Sequence, residues 1–287
     1  MSGKDRAGVC TAVLAAGQLI VVDTGPGSWA NMADAHLPVS RLTAILLSHF
    51  HSDHIGDLGE VVTQTWMKGR SQPLDVYGPP GVEEVVAGFK TAYALDHRCR
   101  VEQFGEQNMP ILSGTMHPLS IQITAPDTSV LIIDRNGLKV TAFLVDHAPA
   151  TPAYGYRFEY KGRVLVISGD TAKSDNLVKY ASDADVLIHE VVAKSLVLQG
   201  TMALSKAGGH ERMVDMARKV LSGHTAADEV VEEARKAHVK KLVFTHIAPS
   251  LPPFLPNFVL RWLFFDKQDG GFEGPIIFGT DGLWIEA

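Results

Sequence analysis

Apolar and polar positions along the chain follow two alternating periods. Short runs of apolar and β-branched residues, typical of strands, are separated by stretches with the three-to-four-residue spacing of amphipathic helices. In each half of the chain hairpins come first, and strand–helix units follow them. This order predicts an α/β fold in which two sheets pack face to face with helices outside, a four-layer αββα sandwich.

The predicted elements cover most of the chain. The predicted strands are 18–22, 42–47, 74–77, 138–145, 154–160, 164–167, 186–188, 241–244, 276–278 and 282–285. The predicted helices are 57–68, 80–93, 174–181, 209–221 and 225–237. Thr225 is the predicted N-cap of the last helix, and Pro79-Pro80-Gly81 opens the second. Residues 94–137 lack a regular period, so we expect them to be rich in loops.

The segment 251–265, LPPFLPNFVLRWLFF, is apolar and interrupted by three prolines. We expect it to pack against the core as a C-terminal strap. An apolar wall or lid over a pocket and a dimer contact are the two alternatives.

Composition and charge narrow the class of protein. The chain has 287 residues, of which 46% are hydrophobic and 20% charged, as in soluble globular proteins, and we expect a single domain over 1–287. The formal net charge is −6, and no segment gathers lysine and arginine into a basic stripe. A nucleic acid is therefore not an expected partner.

The cysteines and the N-terminus indicate a cytoplasmic protein. Cys10 and Cys99 have no CxxC spacing, so we expect two reduced thiols rather than a disulfide or a zinc knuckle. The first residues resemble a signal peptide only weakly, because Asp5 interrupts the charged region and the apolar run enters the turn at 23–27. No apolar run approaches the ~20 residues that span a bilayer, so no membrane partner is expected.

The sequence His49-Phe-His51-Ser-Asp53-His54 places four ligand-type residues in six positions, directly after the predicted strand 42–47. In an extended segment residues two apart point to the same side, so His49, His51 and Asp53 can share one space while His54 reaches a neighbouring point. One short turn can therefore serve two metal ions. Imidazole and carboxylate ligands suit Zn²⁺, and also Mn²⁺ or Fe²⁺.

Three further donors follow predicted strands elsewhere in the chain. His147 follows LKVTAFLVD, Asp170 ends VLVISGD, and His246 ends KKLVFTH. Strands that deliver their last residues to a common edge would bring these side chains together, and a carboxylate such as Asp170 can bridge two ions. The assignment for the first ion is His49, His51, His147 and Asp170. The assignment for the second ion is Asp53, His54, Asp170 and His246.

These motifs resemble the metallo-β-lactamase fold superfamily, and within it the ribonuclease Z branch. The resemblance covers nearly the whole chain and is carried by LLSHFHSDHIGDLGEVVTQTWMKG, PLDVYGPPGVEEVV, VDHAPATPAYGYRFEY, VLVISGDTAKSDNLVKYASDADVLIHE and GHTAADEVVEEARKAHVKKLVFTHIAPS. It implies the αββα sandwich with the site at one edge of the sheets, and two zinc ions bound by the seven residues above. It also implies that Asp23 in DTGPG orients the metal-binding loop without being a ligand.

The chain differs from the ribonuclease Z branch in one connection, and from the commonest zinc β-lactamases in one ligand position. Ribonuclease Z usually carries a long arm that grips transfer RNA between its GYR and GDT strands, yet here only FEYKGR separates Arg157 from Val164. Asp170 stands where the commonest zinc β-lactamases have a thiolate ligand. The first difference makes processing of tRNA a weaker hypothesis, and the second does the same for hydrolysis of β-lactams, but both stay open.

The expected reaction is hydrolysis by a hydroxide that two metal ions activate. Asp53 is a candidate acceptor of the nucleophile's proton. The resemblance points to His224 in SGHTAAD as the proton donor for the leaving group, with Glu190 of LIHE as its orienting partner. His189 is expected in the interior or behind the site. His36, His97, His117, His210 and His238 are expected at the surface.

The leading functional hypothesis is a dinuclear zinc hydrolase acting on a small anionic ester, a phosphodiester first and an aryl sulfate second. The alternative is a β-lactam or lactone hydrolase, with apolar walls from Trp29, Trp66 and the segment 251–265. Ribonuclease Z-type processing of tRNA 3′ ends and a non-enzymatic scaffold are the remaining alternatives. A homodimer is an open expectation.

Overall fold

The computed structural model describes residues 6–208, 211–252, 254–265 and 271–287. The strands within these ranges are β1 Thr11–Ala15, β2 Gln18–Val22, β3 Leu42–Leu46, β4 Leu74–Gly78, β5 Met116–Ser120, β6 Ser129–Arg135, β7 Leu138–Val145, β8 Ala153–Tyr160, β9 Arg163–Ile167, β10 Val186–Val192, β11 Leu242–Ala248 and β12 Ile276–Phe278. The α-helices are α1 Ser28–Asp34, α2 Ser52–Ile55, α3 Leu58–Met67, α4 Val82–Phe104, α5 Asp175–Tyr180, α6 Lys194–Gly208, α7 Glu211–Ser222, α8 Ala227–Lys236 and α9 Asn257–Phe264.

The strands form two sheets. The first has the order β1-β2-β3-β4-β5, in which β1 and β2 are an antiparallel hairpin and the other neighbours are parallel. The second has the order β12-β11-β10-β9-β8-β7-β6, parallel from β12 to β9 and antiparallel from β9 to β6. Strands β7, β9, β10 and β11 therefore run in the same direction and end at the same edge.

Three apolar layers hold the sheets and helices together. The layer between the sheets contains the side chains of Ile20, Leu46, Val140 and Tyr156. A second layer packs β2, β3 and β4 against α1, α3 and α4. The third packs the other face of the second sheet against α5, α8 and α9. The predicted four-layer αββα sandwich is confirmed.

Two bonds tie the sheets together beside the ends of their strands. The backbone N–H of Tyr154 donates to the carbonyl of Ser48 at 3.0 Å. The Tyr156 hydroxyl donates to the carbonyl of Leu47 at 2.7 Å. The acceptors are the two residues before His49, so this position is fixed relative to both sheets.

Several predicted boundaries are wrong. Helix α4 continues to Phe104, and β5 and β6 lie in the region expected to be loop-rich. Helix α4 buries only Val82 and Val86, so its remaining length leaves no apolar period to detect. Helix α6 has no fully buried residue and was also missed. Residues 282–285 form no strand within the described ranges.

The helix starts show one prediction confirmed and one wrong. Helix α4 begins at Val82 directly after Gly81, as the Pro-Pro-Gly sequence predicts. The N-cap of α8 is Ala226 rather than Thr225. The Thr225 hydroxyl instead donates to the carbonyl of Thr171 at 2.5 Å, so it is not available to the helix.

The segment 251–265 contains α9, which has two contrasting faces. Leu260 and Phe264 are buried in the outer layer of the second sheet, as expected of a packed strap. Phe254, Phe258 and Trp262 are 80%, 73% and 78% exposed. Pro253 lies outside the described residues. None of the helices in the described ranges has the length and apolar character that a membrane crossing requires.

Candidate metal centre

The centre is built on a carboxylate that organises the turn after β3. Asp23 is 1% exposed, and its Oδ1 accepts a hydrogen bond from the Ser48 backbone N–H at 2.8 Å. Its Oδ2 accepts from the Ser48 hydroxyl at 2.7 Å and from Nδ1 of His54 at 2.8 Å. A proton held on Nδ1 leaves Nε2 of His54 as the lone-pair nitrogen. The contacts of Asp23 are those expected of a residue that orients the loop.

The turn itself is only partly extended. His49 and His51 precede the short helix α2, whereas Asp53 and His54 lie within it. The prediction that Asp53 shares one side with His49 and His51 is therefore wrong. Because the helical turn rotates Asp53 away from them, it lies with His54 and His246 instead.

The second sheet brings His147 and Asp170 to the same place from two strand ends. Nδ1 of His147 donates to the carbonyl of Gly223 at 2.8 Å, so Nε2 faces the cluster as the lone-pair nitrogen. Asp170 follows β9 after Gly169, whose φ is +64°. A Cβ on Gly169 would lie 2.7 Å from the carbonyl oxygen of Tyr154, so only glycine fits this turn.

His246 is aimed by an irregularity in a strand rather than by a strand end. It lies within β11, where the pairing with β10 shifts register between Glu190 and Val191. His246 is the extra residue of this bulge and has a φ of +43°. A bulge redirects one side chain without interrupting the strand. The prediction that His246 ends its strand is thus corrected.

All seven residues predicted as ligands converge at this edge. Potential ligand atoms of His49, His51 and His147 lie within 4.8 Å of one another, and so do those of Asp53, His54 and His246. Asp170 lies between these two groups. Its Oδ2 is 3.2 Å from Nε2 of His54 and 3.9 Å from Nε2 of His147, and its Oδ1 is 3.5 Å from Nδ1 of His246. Ligand atoms of His147, Asp170 and His224 also lie within 4.8 Å of one another, so the division of the donors between two ions stays a prediction.

The donor set fits a pair of divalent cations. Oδ1 of Asp170 is buried and accepts no hydrogen bond from the described residues, and its nearest ring nitrogen, Nδ1 of His246, is 3.5 Å away. Such a position is costly for a carboxylate oxygen unless a cation lies beside it. Nε2 of His49 and Nδ1 of His51 approach to 2.8 Å, and the same His51 atom lies 3.4 Å from Nε2 of His147. Imidazole and carboxylate donors converging in this way are consistent with a binuclear metal site.

Burial and neighbouring charges set the protonation of the cluster. Burial, with the neighbouring His54 ring next in size, lowers the pKa of His49 to about 2, so this imidazole is neutral, as a metal ligand must be. Burial opposes protonation of His54, but Asp170 and Asp23 outweigh it and hold its pKa well above the usual value. Because a proton and a metal ion compete for the same nitrogen, these carboxylates also favour a cation there.

His224 and Glu190 form a pair beside the cluster. Nδ1 of His224 donates to Oε1 of Glu190 at 2.9 Å. Glu190 is 1% exposed, and the same oxygen accepts from the backbone N–H groups of Thr171 and Thr225. Burial opposes charge on His224, but the hydrogen bond to Glu190 raises its pKa. His224 also stacks on His246 at a centroid distance of 5.7 Å.

The remaining histidines mostly lie where the sequence predicts. His189 is fully buried, and its Nδ1 donates to the carbonyl of Glu190 at 2.6 Å. His36, His117 and His238 are exposed, and His210 lies outside the described residues. His97 is half-buried and hydrogen-bonded to Thr63, so its predicted surface position is wrong.

The proposed apolar walls do not all reach the metal cluster. Trp66 is 2% exposed and lines a cavity in the outer layer between α3 and α4. Trp29 packs in the apolar layer between the first sheet and its helices. These two side chains belong to the outer layer rather than to the walls of the cluster.

Three supporting groups were missed in the sequence. Ser48 links Asp23 to the loop, the Gly223 carbonyl fixes His147, and the Thr171 backbone fixes Glu190. Ser48 directly precedes His49 and Gly223 directly precedes His224, so adjacency was an available signal. Backbone donors carry no residue-type signal, which is why Thr171 was not detectable.

Comparisons with known proteins agree with this geometry. The sequence profile of the family described as the β-lactamase superfamily domain matches residues 18–247. The chain belongs to the metallo-β-lactamase superfamily. It is 32% identical to ribonuclease Z of Mycobacterium bovis (strain BCG / Pasteur 1173P2) over 252 residues, which cover 87% of this chain and 82% of that protein. It is 31% identical to ribonuclease Z of Mycolicibacterium gilvum (strain PYR-GCK), covering 86% and 80%.

Solved structures of the superfamily share the fold. Human tRNase Z, short form, matches with a TM-score of 0.68 at 20% identity, covering 99% of this chain and 94% of that chain. A diphosphatase from the PhnP family matches with a TM-score of 0.60 at 18% identity, covering 97% and 83%. The protein is a metal-dependent hydrolase of the superfamily, similar to ribonuclease Z.

Proposed function

We propose that the chain is a single-domain cytoplasmic hydrolase of small phosphodiesters, with two zinc ions as cofactors. His49, His51 and His147 would hold one ion, Asp53, His54 and His246 the other, and Asp170 both. The position of Asp170 between the two histidine groups, with one buried oxygen accepting no hydrogen bond, is the observation that carries the proposal. When bound, such a pair of ions lowers the pKa of water and neutralises charge on a phosphoryl oxygen.

The chain's own residues would position and move protons. Oδ2 of Asp53 lies 3.3 Å from Nε2 of His246, and hydrogen bonding to His246 lowers the pKa of Asp53. Asp53 is also a candidate acceptor for the proton of the attacking water. Nδ1 of His224 is engaged by Glu190, so Nε2 would carry the proton that the leaving oxygen receives. A phosphodiester has such a leaving oxygen.

Cleavage of an RNA 3′ end is the second candidate, favoured by the identity to proteins named ribonuclease Z over most of the chain. The connection between β8 and β9 is a tight turn at Lys161 and Gly162, as the sequence predicts, so no arm projects there. A different extension is present. Helices α6 and α7 form a hairpin that buries only Leu221, carries five basic and two acidic residues, and ends beside His224.

A substrate panel on metal-reconstituted protein tests the proposal. Bis-aryl phosphate, an aryl sulfate, a lactone, a chromogenic β-lactam and a pre-tRNA are compared at equal metal content. We expect the bis-aryl phosphate to be turned over fastest, and chelation to abolish the activity. Faster turnover of pre-tRNA than of the small esters would contradict the substrate proposal and favour the second candidate. Faster turnover of the lactone or β-lactam would replace both.

A charge reversal on the hairpin separates the two candidates further. Arg212→Glu with Arg218→Glu places two acidic groups on α7, and Lys139→Glu at the start of β7, the opposite edge of the sheet, is the matched control. If RNA is the substrate, the hairpin variant should lose affinity for pre-tRNA by about tenfold or more at low salt. We expect no change in small-ester turnover from either variant.

A further inference from the structure

A cavity lies in the outer helical layer, away from the metal cluster. It has a volume of about 350 Å³ between α3, α4, the 3-10 turn Ile111–Gly114 and the start of β5, is open to solvent beside Lys90 and Ala94, and has a predominantly apolar lining. None of the seven predicted metal ligands lines it. Cavities that bind small molecules in proteins have volumes of roughly 300–1,000 Å³.

The cavity is a built feature of the helix packing. Helix α4 packs on the core layer through Val82 and Val86, with Val85 and Phe89 partly buried against it, and its later turns line the cavity. The Tyr93 ring reaches the backbone of Gly59, where a Cβ would lie 2.1 Å from the ring. Trp66 forms another wall, and its indole N–H donates to the Pro110 carbonyl at 3.0 Å. Both rings are thus held in place.

Two polar groups in the lining, His97 and Lys90, lie seven residues or about 10 Å apart along α4, so a small head group can meet only one of them. Oγ1 of the buried Thr63 lies 2.8 Å from Nε2 of His97 and has no other side-chain partner among the described residues. This contact already engages His97, which leaves Lys90 as the group for a ligand. Lys90 also lines the cavity and forms no ion pair within the described ranges, whereas Arg98 lies 4.0 Å from Glu102.

We propose that this cavity is a binding site for a medium-chain carboxylate, whose apolar chain lies against Trp66, Phe89 and Tyr93 and whose head group lies at Lys90. The apolar rings suit a hydrocarbon chain, and the Lys90 ammonium, which has no ion-pair partner among the described residues, suits a single negative charge. A chain that ends in a carboxylate satisfies both, whereas a neutral hydrocarbon satisfies only the first. The proposal is independent of the phosphodiesterase proposal, because it concerns neither the metal cluster nor turnover.

Isothermal titration calorimetry of the full chain with decanoate tests the site. Ala94 lines the cavity, so Ala94→Trp would fill it. Ala92, two positions away on α4, is exposed and does not line it, so Ala92→Trp is the matched control. We expect micromolar binding to the wild type, a loss of at least about tenfold in A94W, and a change within about twofold in A92W.

The Lys90→Met variant tests the head group without filling the cavity. It should weaken decanoate binding by about fivefold or more and leave decanol binding unchanged. This variant also keeps the proposal falsifiable if A94W fails to fold. No binding of decanoate to the wild type at millimolar concentration would overturn the proposal, as would equal losses in A94W and A92W. A dimeric wild type that A94W converts to monomers, without decanoate binding, would show that a second copy occupies the face instead.

Discussion

The turn after β3 and the strands of the second sheet supply the same cluster by different routes. One turn of six residues contributes four donors, and a single carboxylate, Asp23, orients it. The second sheet contributes three donors from three strands, each aimed by a separate device: the Gly223 carbonyl for His147, the turn at Gly169 for Asp170 and a bulge for His246. The turn is therefore a local motif, whereas the sheet half depends on the whole fold.

This contrast predicts that the two halves respond differently to substitution. Removing the residue that joins them should have the largest effect. Asp170→Ala should lower the metal content from two ions to one or fewer and reduce turnover by at least about 10³-fold, because one carboxylate serves both ion positions. Metal analysis and steady-state kinetics measure this. The control is Asp146→Ala, an exposed side chain at the end of β7, which should keep both ions.

His224→Ala tests whether His224, beside the donors of the second sheet, gives a proton to the leaving group. We expect a loss of about 10²–10³-fold in turnover for a bis-aryl phosphate with a poor leaving group, and a much smaller loss for one with a good leaving group, because only the former needs a proton. Metal content should stay at two ions. Equal losses for both substrates would remove His224 from this role.

A buried acid in the second half should also make the stability depend on pH. Burial raises the pKa of Glu233 to about 7, and this acid lies behind β10 with Oε1 bonded to the Ser174 backbone N–H. A folded-state pKa above the usual 4.5 means that its contribution to stability is complete below pH 4.5 and is lost as the pH rises through 7.

Urea unfolding at pH 5 and pH 8 measures this term. Between these values the free energy of unfolding of the wild type should fall by roughly 2–3 kcal/mol relative to Glu233→Gln. Lys173 and Lys236 lower the pKa of the neighbouring Glu232 to about 2, so Glu232 does not titrate between pH 5 and pH 8, and Glu232→Gln should keep the pH dependence of the wild type. A parallel response of both variants would contradict the assignment to Glu233.

The smallest effect is expected from substitution of Asp23, which orients the turn after β3. Asp23→Ala removes the acceptor of the Ser48 and His54 bonds but no predicted ligand. Metal affinity should fall by about 10–100-fold, with two ions still bound at saturating zinc. Competitive titration with a chelator measures it. If Asp23→Ala bound only one ion at saturation, Asp23 would be a ligand rather than an orienting residue.

The same contrast explains what the sequence could predict. The donors of the turn are contiguous, so residue type and spacing were enough to find His49 to His54. The strand donors were found because His147 and Asp170 follow recognisable apolar runs. The bulge at His246 could not be predicted, because it exists only in the pairing of β11 with β10. Helix α6 was missed because none of its residues is fully buried, and its partly buried apolar residues, Leu196 to Leu198, are contiguous instead of following a helical period.

Anomalous X-ray scattering at the zinc edge, from crystals of the metal-reconstituted protein, tests the central claim most directly. The account predicts two peaks about 3.5–4 Å apart. One should lie among His49, His51 and His147, the other among Asp53, His54 and His246, with Asp170 touching both. A single peak, or peaks away from Asp170, would contradict a binuclear centre at this edge of the sheets.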